Sequence, residues 1–122
     1  MIHYNIWFNL QNNIGETEIL ETFRSFLGDL YSAGEIAGFQ LLRNSGADGQ
    51  TEMLRFQALV EFRDDAQFAA AFAAQAARGI HTGLHGRIMA SVSDFRIEVF
   101  RQIAASNPLA GVELPAEYGC EV

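Results

Sequence analysis

The sequence predicts an α+β domain with the element order βαββαβ, a four-stranded antiparallel sheet carrying both helices on one face. Three observations predict it. Residues 2–10 and 54–63 alternate apolar and polar side chains with period two, the pattern of a strand with one buried face. Each of these segments is followed by a run whose apolar residues recur at helical spacing. Two further extended segments, 35–44 and 94–103, complete a strand, helix, strand unit twice over.

In the first strand, Ile2, Tyr4, Ile6, Phe8 and Leu10 fall on one face and His3, Asn5, Trp7 and Asn9 on the other. The stretch NNIG ends it. Ile19, Leu20, Phe23, Leu27, Leu30 and Tyr31 then form a helical stripe, with Glu16, Glu18 and Glu21 near the positive end of the helix dipole and Gly34 placed to close the helix. The second strand covers EIAGFQLLRN, and the polar, glycine-containing SGADGQTE turns the chain toward an antiparallel neighbour. In the third strand, Leu54, Phe56, Ala58, Val60 and Phe62 face one way and Arg55, Gln57, Leu59, Glu61 and Arg63 the other. DDAQFAAAFAAQAARG reads as a helix, capped by Asp64 or Asp65, anchored by Phe68 and Phe72 and stopped by Gly79. Two glycines in IHTGLHGRIMASVS argue for a loop, with a short helical turn over 87–92. The final strand, DFRIEVFRQI, sets Phe95, Ile97 and Val99 against Arg96, Glu98 and Phe100.

With 122 residues the chain suits one domain, expected over 1–104, and a C-terminal tail over 105–122 that holds both prolines. Leu109, Val112, Leu114 and Tyr118 suggest that the tail packs along some surface. Fifteen carboxylates against eight basic residues give a net charge of −7 with no basic run, which argues against nucleic acid as a partner. All the basic residues are arginine. Without lysine there is no Schiff-base chemistry and no P-loop. The single cysteine, Cys120, can close no intrachain disulfide, and no apolar run approaches the ~18 residues of a membrane span, so a cytoplasmic protein without membrane contact is expected.

The element order is the split βαβ, or ferredoxin-like, arrangement with spatial strand order 4-1-3-2. Its helix-free face would hold Trp7, Leu59 and Phe100 together with His3, Glu61, Glu98 and Arg96. Covering each large apolar side chain is worth about 1.5–3 kcal/mol, while the polar groups need partners once dry. A second copy of the same sheet packed across a twofold axis supplies that cover, so a homodimer through the helix-free face is expected, enclosing a cavity.

The strand opening MIHYNIWF, ALVEF followed by RDDAQFAAAF, the segment HTGLH and the last strand FRIEVF resemble the dimeric α+β barrel superfamily. The likeness is strongest to the stress-responsive A/B barrel group, in an uncharacterised bacterial branch, and it spans residues 1 to about 103. It implies a dimeric barrel and makes His85 the first candidate acid/base, because a plant cyclase of that group uses the second histidine of this segment in an aldol-type ring closure. The chain departs from the group's pattern twice. Thr82 stands where proline is usual, and Gly79 stands where the cyclase has a tyrosine, so the cyclase's tyrosine–histidine pair is absent.

His81 and His85 would share one helical face as metal ligands, but Gly83 lies between them and no carboxylate completes a set, so no metal and no cofactor is expected, and His81 is read with Trp7, Glu61, Arg96 and Glu98 as a candidate substrate-binding residue. His3 is a second candidate base beside Trp7, with Glu61 or Glu98 to orient it and Arg96 to receive an anionic group. Alternatively, these groups form salt bridges across the dimer seam. Two readings follow. Either the dimer binds a small aromatic or polyketide-like molecule and acts as a cofactor-independent cyclase, isomerase or monooxygenase, or it is a non-catalytic, stress-related or scaffolding dimer. A chamber of roughly 300 Å³ or more beside His3, Trp7 and His85 separates the first from the second.

Overall fold

A computed structural model describes residues 1–45 and 54–104. Their elements are β1 (Ile2–Leu10), α1 (Glu16–Ser32), β2 (Gly38–Arg43), β3 (Phe56–Phe62), α2 (Asp65–Arg78), α3 (Gly83–Ser91) and β4 (Val92–Arg101). The four strands form one antiparallel sheet in the order β2-β3-β1-β4. The fold is ferredoxin-like, as the periodicity predicts. The expected tail over 105–122, with Cys120, and all but Ser45 of the expected turn over 45–52 lie outside the described residues.

The alternating faces decide where the core forms. Phe8 of β1 is fully buried and stacks on Phe23 of α1 and Phe56 of β3, with ring centroids 4.7 and 5.4 Å away. Ile2, Ala58, Val60 and Phe62 complete the sheet side of this core; Ile19 and Leu27 of α1, Ala71 of α2 and Ile88 of α3 complete the helix side. All three helices therefore cover one face.

Helix ends follow local chemistry. Asp64 caps α2 by accepting from the backbone N–H of Gln67 at 2.8 Å. Buried Gln67 in turn accepts from the Arg63 N–H and donates to the Gly34 carbonyl, which ties the start of α2 to the end of α1. Beyond α1, Gly34 adopts φ 76°, the Gly34 N–H bonds to the Tyr31 carbonyl and the Glu35 N–H to the Leu30 carbonyl. This is the Schellman closure, one residue past the cap at Ala33.

The structure corrects several sequence expectations. The α1 stripe runs through Ile19, Thr22, Phe23 and Leu27, while Tyr31 is 56% exposed. Three helices form instead of two. The glycines that argued for a loop are what start α3: Gly83 sits at φ 60°, and at Gly86 a Cβ would lie 2.5 Å from the His81 carbonyl carbon and oxygen. Phe72 anchors α2 only in part and stays exposed. The strands β2 and β3 begin later than periodicity suggests, and β4 begins earlier.

A bulge explains the earlier start of β4. The pairs Trp7–Arg96 and Asn9–Ser93 enclose one residue on β1 but two on β4, and Asp94 takes up the extra residue at φ 51°. Ile97 and Val99 oppose Ile6 and Tyr4 on the core side, yet they remain 44% and 42% exposed because β4 is an edge strand that the helices leave open. No helix among the described residues is long and apolar enough to cross a membrane.

Candidate functional site

The turn from α2 to α3 positions His85. The Thr82 hydroxyl donates to the Arg78 carbonyl at 3.0 Å and lies 3.3 Å from that of Gly79, and the Gly86 N–H reaches the Thr82 carbonyl at 2.9 Å. Within this wrapped turn the Nδ1 of His85 lies 2.6 Å from the Ile80 carbonyl oxygen. A carbonyl can only accept, so Nδ1 carries the proton and Nε2 is left as the acceptor of the neutral ring. The Phe26 ring of α1 meets the imidazole edge-on at 5.4 Å and holds it against the helix layer.

His85 stands at the junction of two spaces. Inward, between sheet and helices, lies an apolar pocket of about 130 Å³ lined by Tyr4, Ile6, Leu27, Ile36, Val60, Phe62, Ala71 and Phe72. Outward, between α1 and the α2–α3 turn, runs a groove of about 510 Å³ with Asp29, Glu35, Thr82 and Leu84 on its walls. Phe26, Leu30, Gln75, Arg78 and His85 border both. Arg78 is fixed at this border, donating to both carboxylate oxygens of Glu35 at 3.0 and 3.1 Å and to Gln75 at 3.0 Å. Tyr4 projects from the middle of β1 with its ring edge-on to Phe72 at 5.2 Å, and burial pushes its phenol pKa above the ordinary tyrosine value. The arrangement suits a molecule with an apolar end inside and a polar end at His85.

The other sequence candidates lie on the opposite side of the sheet. His3, Asn5 and Trp7 of β1 face Glu61, Leu59 and Gln57 of β3 and Phe100, Glu98 and Arg96 of β4 in register. The Trp7 indole donates to Glu98 at 3.0 Å, and His3 Nδ1 lies 3.8 Å from a Glu61 carboxylate oxygen. Arg96 has no ion-pair partner among the described residues. Asn5, at the centre of this group, is 8% exposed, and its Oδ1 is buried without a partner among the described residues.

The five open-face candidates are thus brought together, but His85 is not among them. The single chamber beside His3, Trp7 and His85 expected of the ligand-binding reading is not formed, because the sheet separates them; His85 borders instead the pocket and the groove on the helix side, which neither His3 nor Trp7 lines. His81 is exposed ahead of α3 and so shares no helical face with His85. Among the described residues, no group of three or more His, Cys, Asp or Glu is placed to hold a metal. Sequence reasoning missed Tyr4, Arg78 and Gln75. Tyr4 alone carried a signal, since a phenol on the core face of a strand brings a hydroxyl that needs a partner.

DUF6614, a family of unknown function, matches residues 1–114. The chain belongs to this family. Curated proteins yield no match. Among solved structures, the chain is similar to the hydroxynitrile lyase of Passiflora edulis, with a TM-score of 0.65 and 9% identity over 81% of this chain and 90% of that one. It is similar to a dimeric ferredoxin-like protein of unknown function from Jannaschia sp. CCS1, with a TM-score of 0.61 and 15% identity over 83% and 98%. A DABB family protein with a ferredoxin-like fold from Mesorhizobium loti gives 0.55 and 16% over 84% and 97%. At these identities the likeness is one of fold, which this DUF6614 member shares with proteins described as dimeric ferredoxin-like and DABB.

Proposed function

We propose that this protein is a cytoplasmic homodimer that binds a small organic molecule between its sheet and helices and uses His85 as a cofactor-independent general acid/base. One observation carries the reading: His85 borders both the apolar pocket and the polar groove, with Nδ1 committed to the Ile80 carbonyl and Nε2 left to meet a ligand. An engineered cavity of about 150 Å³ lined by Leu, Ile and Phe binds benzene, so a pocket of about 130 Å³ matches a single ring or a short alkyl chain. The wider groove then receives the polar part of an aromatic or polyketide-like acid. A base at the border of the two suits proton transfer on a carbonyl-bearing carbon, the chemistry of a cyclase or isomerase. The Passiflora protein of similar fold is named a hydroxynitrile lyase.

In this reading the open sheet face is the dimer seam. Phe100, 52% exposed, and the half-buried Trp7 gain cover from the second copy, and His3, Glu61, Arg96 and Glu98 set its geometry. The Jannaschia protein of similar fold is described as dimeric, which supports a dimer.

Thermal-shift screening against aromatic and polyketide-like acids, run on the parent and on His85→Ala, tests the site. The expected result is a stabilising ligand whose effect is lost or much reduced in the variant. Flat responses across the panel would instead favour a non-catalytic scaffolding dimer.

A further inference from the structure

Every polar group bordering the apolar pocket has a partner within the chain except two. Arg78 is held by Glu35 and Gln75, the Gln75 amide also donates to the Gly79 carbonyl, and His85 Nδ1 is bound to the Ile80 carbonyl. What is left is Nε2 of His85 and the hydroxyl of Tyr4, which has no hydrogen-bond partner among the described residues. The Tyr4 side chain is half-buried and its hydroxyl is not sealed from solvent, so it is open to a group that enters the pocket.

Two aromatic neighbours hold the Tyr4 ring at the pocket wall. It is edge-on to Phe72 and tilted against Phe68 at 6.2 Å, on a central strand whose register sets it beside Val60 and Val99. Neither cross-strand neighbour offers a side-chain acceptor.

We infer that the Tyr4 hydroxyl donates a hydrogen bond to the oxygen of a bound carbonyl compound, and so selects ligands that join a ring-sized apolar group to a carbonyl. The assignment rests on the pocket reading proposed above. It goes further by naming a second ligand-binding residue and the chemical class that this residue recognises. Donor and base come from different elements, β1 and α3, and both line the one pocket. The sequence position is unrelated to Gly79, where the cyclase's tyrosine would have stood.

Benzaldehyde and styrene test this, because they match in shape and differ in the carbonyl oxygen. Dissociation constants for both, measured by ligand-detected nuclear magnetic resonance, are compared for the parent, Tyr4→Phe and His85→Ala. A neutral hydrogen bond predicts that the parent prefers benzaldehyde by roughly threefold to tenfold, and that Tyr4→Phe binds the two alike while keeping its affinity for styrene. Equal binding of both by the parent, or an unchanged preference in Tyr4→Phe, overturns the inference and leaves the pocket standing. Binding of neither compound by the parent removes the pocket reading and the inference together. Circular dichroism and melting temperature show whether Tyr4→Phe is folded, and retained styrene affinity shows that its pocket is intact.

Discussion

At the scale of single residues, the chain places its polar groups on a central strand in two different ways. Tyr4 points into the core layer and Asn5 away from it; among the described residues the Asn5 Oδ1 is buried without a partner, and the half-buried Tyr4 hydroxyl bonds to none. Desolvation raises the Tyr4 pKa, because the phenolate would be charged in a partly dry setting. The sign of the linkage follows. With a folded pKa above the unfolded value near 10, the native state holds the phenolic proton more tightly, so this contribution is intact below about pH 10 and is lost as pH rises beyond it. Urea melts at pH 9 and pH 11 are expected to show a smaller alkaline loss in Tyr4→Phe than in the parent; equal losses would mean that Tyr4 is not the group responsible.

At the scale of elements, α3 is the decisive piece, since it carries His85 and begins on backbone conformations reserved for glycine. Gly83 lies in the left-handed region, and Gly86 lets the His81 backbone approach closer than any side chain permits. Gly86→Ala would set a methyl 2.5 Å from a backbone carbonyl that has little room to retreat. The expected cost is about 1–3 kcal/mol, with displacement of the α3 start and loss of the His85–Ile80 contact. Thermal denaturation of this variant, together with its response to any ligand of the parent, checks both effects. An unchanged melting temperature would show that the turn is more yielding than its geometry implies. The sequence contained these glycines in plain view, but local rules read them as breakers, because only the approach of residue 81 makes them helix starters.

At the scale of the whole molecule, the sheet divides two tasks. Its helix-covered side forms the core and the His85 pocket, and its open side presents Trp7, Leu59 and Phe100 among paired and unpaired charges. In the proposed assembly Phe100 lies in the seam, so Phe100→Arg would set a charge against the second copy on both sides of the twofold axis. Sedimentation analysis is expected to find the parent as a dimer and this variant shifted to monomer at micromolar concentration. A parent that sediments as one subunit would remove the seam, though not the pocket, which lies wholly within one chain.

Period-two alternation in residues 2–10 and 54–63, the helical spacing after each and the extended segments 35–44 and 94–103 set the element order, and the split βαβ arrangement of that order carried the strand order, the core side of the sheet and the company of His3, Trp7, Glu61, Arg96 and Glu98. Those are consequences of local periodicity, which a single chain displays residue by residue. Tertiary structure alone decided that His85 and His3 stand on opposite sides of the sheet, that two glycines begin a helix, and that Tyr4 shares a pocket with His85. Each of these depends on how closely distant segments approach, and no spacing along the chain encodes that distance.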